Sequence, residues 1–301
     1  LKLLRSRVLV VGAGGLGSRP LSPTPSHRGR GRTGLKEPMS DDDLTDEQLE
    51  RYARHVILDE VGEEGQLKLL RSRVLVVGAG GLGSPALLYL AAAGGGTLGI
   101  VDHDTVDITN LQRQIIHTDE DVGEAKVRSA AERIEALNPE IEVIEHRARF
   151  TAANAMELVA GYDLVVDGSD NFAARYLTND ACFLAKKPLV SAALVRFEGQ
   201  LSTYKAYETG PCYRCIFPTP PDPNLVPRCD TVGIFGAVAG VMGTLQAVEV
   251  LKELLGLGTS MAGRLLLFDA LDQTFRTIRT NRDPDCPLCG EAPSITAPQA
   301  D

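Results

Sequence analysis

The sequence predicts an α/β chain, a Rossmann-like doubly wound parallel sheet followed by a C-terminal β-rich lobe. Two observations carry this. Apolar runs alternate with segments of helical period, and the run Val74-Leu75-Val76-Val77 feeds directly into Gly78-Ala79-Gly80-Gly81-Leu82-Gly83. Strands are predicted at 73-78, 97-102, 141-145, 162-167 and 188-192, with helices at about 84-94, 124-137, 151-160 and 171-185 between them. The first strand is continuously apolar, as burial on both faces requires. In the helix over 124-137, Val127, Ala130, Ala131, Ile134 and Leu137 keep one face until Asn138-Pro139 stops it. Thr151 is read as the N-cap of the next helix. After Pro188 the apolar segments shorten to 199-205, 264-269 and 273-280, which predicts antiparallel strands. Pro218, Pro220, Pro221, Pro223 and Pro227 crowd one segment, read as an exposed, mobile loop. The uncharged stretch from Thr231 to Val248 follows. Gly233, Gly236, Gly240 and Gly243 fall on one face of it, so it is read as a buried helix packed against another backbone and not as a membrane span.

Residues 1-18 repeat residues 67-84 letter for letter. A tandem unit would repeat a whole supersecondary element, whereas this copy stops after the glycine loop and runs into Arg19-Pro20. Residues 1-38 are therefore read as a duplicated or mis-called leader with Met39 as the functional start; a transit peptide and a degenerate second nucleotide site are the competing readings. The net charge is −9, and because the leader carries eight Lys or Arg against Glu37, the remainder carries −16. An acidic body argues against nucleic acid as a partner but leaves room for a locally positive groove. With no secretory signal apparent, the cytoplasm is the expected compartment.

The glycine loop is a weak signal alone, since dinucleotide enzymes and structural turns share it. It lets backbone N–H groups approach a phosphate at a helix start, and Asp102, after the next strand, is placed to hold ribose hydroxyls. Arg113 and Lys126 sharpen the reading, because two cations beyond the ribose acid suit a triphosphate under attack. Cys212-x-x-Cys215 and Cys286-x-x-Cys289, seventy residues apart, fit a closed structural zinc site; two disulfides or free thiols are the alternatives. Cys182 lies in an apolar helix segment and reads as a buried thiol. Cys229 lies among the prolines beside Arg228 and Asp230, where Arg228 favours the thiolate; an inert loop cysteine is the competing reading.

Taken together, the glycine loop Gly78, Gly80, Gly81 and Gly83, then Asp102-x-Asp104, Asn110-Leu111-Gln112-Arg113-Gln114, Gly123-Glu124-Ala125-Lys126, Asp167-x-x-Asp170-Asn171 and the two cysteine pairs resemble a known family. It is that of the bacterial ubiquitin-activating-like adenylyltransferases, of the molybdopterin-synthase and thiamine-biosynthesis sulfur-carrier type. The resemblance covers about residues 45 to 290, and Arg51-Tyr52-x-Arg54-His55-x-Ile57-Leu58 matches the family's N-terminal helix. It implies an adenylyltransferase domain over 39-290, with a nucleotide-binding half over about 67-192, a carrier-binding and zinc lobe over about 193-290, and a tail over 291-301. The implied reaction is ATP-dependent adenylylation of the C-terminal Gly-Gly carboxylate of a small ubiquitin-fold sulfur carrier, releasing pyrophosphate. A molybdopterin-synthase small subunit is the expected carrier and the thiamine-pathway carrier the alternative. By this resemblance Gly78, Gly80, Gly81 and Gly83 cradle the nucleotide, Asp102 holds the ribose, Asn110, Arg113 and Lys126 contact phosphates, and Asp170 coordinates Mg²⁺. Arg54 reaches the neighbouring subunit's ATP site, so a homodimer is implied, and Cys229 matches the sulfur-transfer cysteine of the thiamine branch. A cysteine desulfurase or a rhodanese is the implied sulfur donor. Duller roles stand beside these: helix caps for Asp102 and Asp170, a turn residue in Asn110, solvated surface for Arg113, Lys126 and Arg54. A NAD-dependent Rossmann oxidoreductase with structural zinc and a catalytically dead homologue are the rival classes. One departure is Gly95 in Gly94-Gly95-Gly96, where the family has valine, expected to loosen the turn by up to about 1 kcal/mol.

Overall fold

A computed structural model describes residues 43–219 and 233–299. The leader over 1-38, Met39, Cys229 with Arg228 and Asp230, and prolines Pro220, Pro221, Pro223 and Pro227 lie outside the described residues. Three N-terminal helices, α1 (Asp46–Arg51), α2 (Ala53–Val56) and α3 (Gly62–Leu70), lead into β1 (Arg73–Val77). Then follow α4 (Gly83–Ala92), β2 (Thr97–Val101), α5 (Lys126–Leu137), β3 (Glu142–His146), α6 (Ala155–Ala160), β4 (Leu164–Asp167), α7 (Phe172–Leu184) and β5 (Leu189–Val195). The C-terminal part holds β6 (Glu198–Tyr204), α8 (Tyr213–Ile216), α9 (Gly236–Leu255), β7 (Arg264–Asp269) and β8 (Thr274–Arg279).

Among the described residues the eight strands form one sheet in the order β3-β2-β1-β4-β5-β6-β7-β8. Pairing is parallel from β3 through β5 and antiparallel from β5 to β8. Val74, Leu75, Val76 and Val77 of central β1 are all buried, as a parallel strand covered on both faces must be. The expected antiparallel strands therefore extend the parallel sheet directly. Strand order reverses between β1 and β4, and in such sheets the crevice beyond the strand C-termini at the reversal is where ligands bind.

Local chemistry corrects three expectations. Thr151 does not cap α6: Asn154 turns its Oδ1 back onto the Thr151 N–H at 2.8 Å, a turn forms over 152–154, and the helix starts at Ala155 with Asn154 as N-cap. Leu137, at the end of α5, is exposed, because Asn138 ends the helix there and its Nδ2 donates instead to Ala91 O and Tyr52 Oη. On α9, Gly236 and Gly243 do admit other backbone, since a Cβ would collide with the carbonyls of Gln112 and Leu82, but a Cβ on Gly240 would meet nothing, and Gly233 precedes the helix. Among the described residues no helix is long and apolar enough to cross a membrane.

The Gly94-Gly95-Gly96 turn divides by position. Gly94 and Gly96 have φ of +83° and +31°, and a Cβ on Gly96 would strike the carbonyls of Leu70 and Ser72. Gly95 has ordinary φ, and its Cβ would sit 3.0 Å from Leu90 O and 3.7 Å from Leu98 Cδ2. Gly95→Ala should therefore change stability by less than about 1 kcal/mol. Gly96→Ala should cost about 1–3 kcal/mol from backbone strain alone, with the clash added. Denaturant midpoints of the two variants check this.

Candidate functional site

At the switch point lies a cavity of about 330 Å³. Gly78, Gly80, Gly81 and Leu82 of the glycine loop, Asp102 and Asp104 after β2, Arg113, Gln114, Lys126, the stretch 148–152 and the stretch 168–171 line it, whereas Gly83 does not. The loop's glycines serve two purposes. Gly78 (φ +95°) and Gly83 are required by the chain itself: a Cβ on Gly78 would lie 3.0 Å from Gly168 O, and one on Gly83 would collide with Gly78 O. Gly80 has no such internal cause, its Cβ meeting only Gln114 Nε2 at 3.7 Å, yet it lines the cavity. A glycine there leaves the backbone open to close approach from the cavity. No side chain caps α4; its Ser84 N–H donates to Gly80 O at 2.9 Å and Pro85 has no N–H, so it is the loop ahead of the helix, at Gly80, Gly81 and Leu82, that lines the cavity.

Asp102 is fixed by backbone donors, Oδ2 accepting from Ala79 N and Oδ1 from Asp104 N, both at 2.9 Å. It ties the second strand's end to the glycine loop and caps no helix. Lys126, the first residue of α5, is buried, and its Nζ meets Asp104 Oδ2 at 3.1 Å. Arg113 is half-buried and donates to Thr109 O at 3.0 Å. Asp170 is exposed on the cavity wall, while its neighbour Asn171 caps α7 by accepting from Ala174 N at 2.9 Å. The capping task falls to Asn171, whose Nδ2 also donates to Asp170 Oδ1 at 3.4 Å. Thus Gly78, Gly80, Gly81, Asp102, Arg113, Lys126 and Asp170 meet around one cavity. Asn110 does not line it: its Oδ1 accepts from Asp107 N at 3.1 Å and closes a capping box on a short 3₁₀ turn. Arg54 is exposed on α2 and does not line it either.

The cavity concentrates cations in an acidic chain, because Arg149 and Arg175 join Arg113 and Lys126. Arg175 is buried, donates to Ser169 O at 3.1 Å and lies over the Phe172 ring. Nothing in the local sequence marks it as a cavity residue. Buried Asp167 braces the stretch 168–171 from behind the lining, accepting from the hydroxyls of Ser169 (2.6 Å) and Ser191 (2.8 Å), while Gln246 Nε2 of α9 donates to its carbonyl at 2.8 Å. His117 is buried between the loop and α5, and burial pushes its pKa down.

Away from the cavity, the Sγ atoms of Cys212, Cys215, Cys286 and Cys289 all lie within 4.8 Å of one another, with near pairs at 3.3, 3.5 and 3.8 Å. These separations far exceed the roughly 2.05 Å of a disulfide, and a tetrahedral ion at about 2.3 Å from each sulfur sets its ligands about 3.8 Å apart. Four thiolates of this kind suit Zn²⁺ and leave no open coordination position, so the group staples and does not react. Cys182 is a buried thiol pushed up by burial, as its apolar helix predicted.

Comparison with known proteins agrees with this arrangement. Residues 52–288 match the model of the ThiF family. The sulfur carrier protein adenylyltransferase of Thermus thermophilus is 51% identical over 254 residues, covering 83% of this chain and 94% of that protein. The SAMP-activating enzyme E1 of Haloferax volcanii is 53% identical over 244 residues, covering 81% and 90%. The adenylyltransferase and sulfurtransferase MOCS3 of Bos taurus is 53% identical over 254 residues, and this chain spans 56% of its length. Among solved structures, Escherichia coli MccB superposes with a TM-score of 0.72 at 22% identity, over 83% of this chain and 75% of that one, a likeness of fold. With the family model covering most of the chain and relatives named for the same activity sharing half its residues, the chain belongs to the ThiF family and is an adenylyltransferase.

Proposed function

We propose that the chain adenylylates the C-terminal Gly-Gly carboxylate of a small ubiquitin-fold sulfur carrier with ATP and Mg²⁺, ahead of thiocarboxylate formation. One observation carries the reading: Lys126 and Arg113 converge with the Gly80–Gly81 backbone, Asp102 and Asp170 on a single cavity at the sheet's switch point. The relatives named as a sulfur carrier adenylyltransferase and a SAMP-activating E1 support this substrate class. A molybdopterin-synthase small subunit is the carrier we favour, in keeping with the MOCS3 relatives and their sulfurtransferase names.

The chemistry needs little from the protein beyond placement. A carboxylate is ionised at neutral pH, so attack on the α-phosphate requires no general base. Asp102 holds the ribose and the loop presents N–H groups to the phosphates. Arg113 and Lys126 neutralise charge that grows as pyrophosphate departs. Asp170 holds Mg²⁺, which supplies further charge neutralisation at the phosphate oxygens. Intact-mass analysis of a Gly-Gly-terminated carrier after incubation with enzyme, ATP and Mg²⁺ should show the gain of one AMP. A carrier lacking the last glycine should show none, and gain by both would remove the carboxylate-end reading.

Arg54 lies on the surface outside the cavity, and we assign it to the neighbouring subunit's ATP site in a homodimer. Arg54→Ala and Asp170→Ala proteins, each inactive, should then regain part of the activity when mixed, because one hybrid site keeps both groups. Absence of rescue in verified heterodimers would place Arg54 outside the chemistry.

A further inference from the structure

His117 has no part in the reading above, yet it touches the glycine loop. Its Nε2 lies 3.0 Å from Ala79 O and its Nδ1 2.7 Å from Ser129 Oγ, with the ring 5% exposed. A carbonyl only accepts, so Nε2 carries the proton. In the neutral ring Nδ1 then accepts from the Ser129 hydroxyl, which fixes the tautomer. Ser129 follows Lys126 by one turn on the same face of α5. The phosphate lysine and the partner of His117 are thus set by one helix.

Ala79 is consequently held at both ends, its N–H by Asp102 Oδ2 at 2.9 Å and its C=O by His117. A peptide unit is planar and trans, so fixing the Ala79 C=O fixes the Gly80 N–H pointing the opposite way. Gly80 lines the cavity. We infer that His117 is a positioning residue for nucleotide binding: through the Ala79 carbonyl it aims the Gly80 N–H at the phosphates. The inference rests on the nucleotide reading of the cavity. Charge around the ring is mixed, Lys126 facing it from α5 and Asp121 and Asp102 from the two flanking loops, and burial outweighs them to keep it neutral.

Titration calorimetry with a non-hydrolysable ATP analogue and Mg²⁺ tests it. His117→Phe keeps the volume and removes the donor; it should weaken binding about tenfold, the scale of one lost hydrogen bond. His117→Gln places an amide N–H where Nε2 stood and should recover most of the affinity. A purely structural histidine would lower the thermal midpoint and leave affinity alone. Binding by His117→Phe within twofold of the parent, or equal weakening in His117→Phe and His117→Gln, overturns the inference. If His117→Phe fails to fold, His117→Met takes its place: it also fills the space without a donor and should weaken the analogue about as much, so unchanged binding overturns the inference. A parent protein that does not bind the analogue removes the nucleotide reading itself, which separates that failure from this one.

Discussion

Replacing Arg113 or Lys126 by Ala should lower adenylate formation by about 100-fold or more, the cost of losing one preorganised charge donor in a water-poor site. The two residues reach the cavity differently. Lys126 is buried and braced by Asp104 at 3.1 Å, so its position is set before the nucleotide arrives. Arg113 is half-buried, with one N–H on Thr109 O and the rest of its guanidinium open to a ligand. In the proposed reaction both cations face charge that shifts as the bond between α- and β-phosphates breaks, so turnover should fall more than ATP affinity. Lys126→Arg should not restore Lys126→Ala, since a planar fork does not fit a site shaped around an ammonium. Single-turnover kinetics of adenylate formation, alongside ATP affinity for each variant, measure the split. Equal losses in both would mean uniform binding and no role in the transition state.

Breaking the Asp180–Arg214 pair should cost about 3–5 kcal/mol of stability, the usual penalty for stranding a buried charge. Asp180 on α7 is fully buried, and Arg214 on α8 meets it twice at 2.7 Å while lying 4.8 Å from the Tyr176 ring centre. A second tie runs from Tyr213 N to Asn179 Oδ1 at 2.8 Å. Cys212 is the N-cap residue of helix α8 and Cys215 lies within it, and the N-terminal end of α7 adjoins Asp170. The four-cysteine cluster and the cavity wall at Asp170 are therefore joined through one helix. Asp180→Ala should lower the thermal midpoint by roughly 10 °C. It should also reduce retained zinc, because α8 then loses its anchor. Serine at any of Cys212, Cys215, Cys286 or Cys289 should likewise lower stability before it alters nucleotide binding. A zinc-free protein of undiminished stability would refute the staple.

Much of this was legible in the sequence because the signals are local or regular. The continuous apolar run of β1, the glycines behind it and the paired cysteines each encode their environment within a few residues. Three features resisted for physical reasons. β5 runs on to Val195 and turns into β6 through Arg196, which takes φ +55°; hairpin turns of that kind normally announce themselves with Asn or Gly, and Arg-Phe carries no such mark. The Asp180–Arg214 pair joins residues 34 apart with no periodicity to predict it. His117 and Arg175 matter through what they touch across the fold, at Ala79 and Ser169, and neither contact has a sequence pattern. Asn110 shows the converse. Its place in the Asn110–Gln114 run assigned it to phosphate; its Oδ1 closes a local turn in this structure, so a phosphate contact would fall to its Nδ2.

The central claim is that this cavity activates a carboxylate by transfer of AMP. ATP–pyrophosphate exchange, measured with each small ubiquitin-fold protein of the same genome added singly, tests it most directly. Exchange should be Mg²⁺-dependent, should appear with a carrier ending in Gly-Gly, and should vanish when that carrier's terminal glycine is removed. Binding of NAD(H) with no exchange under any carrier would contradict the account.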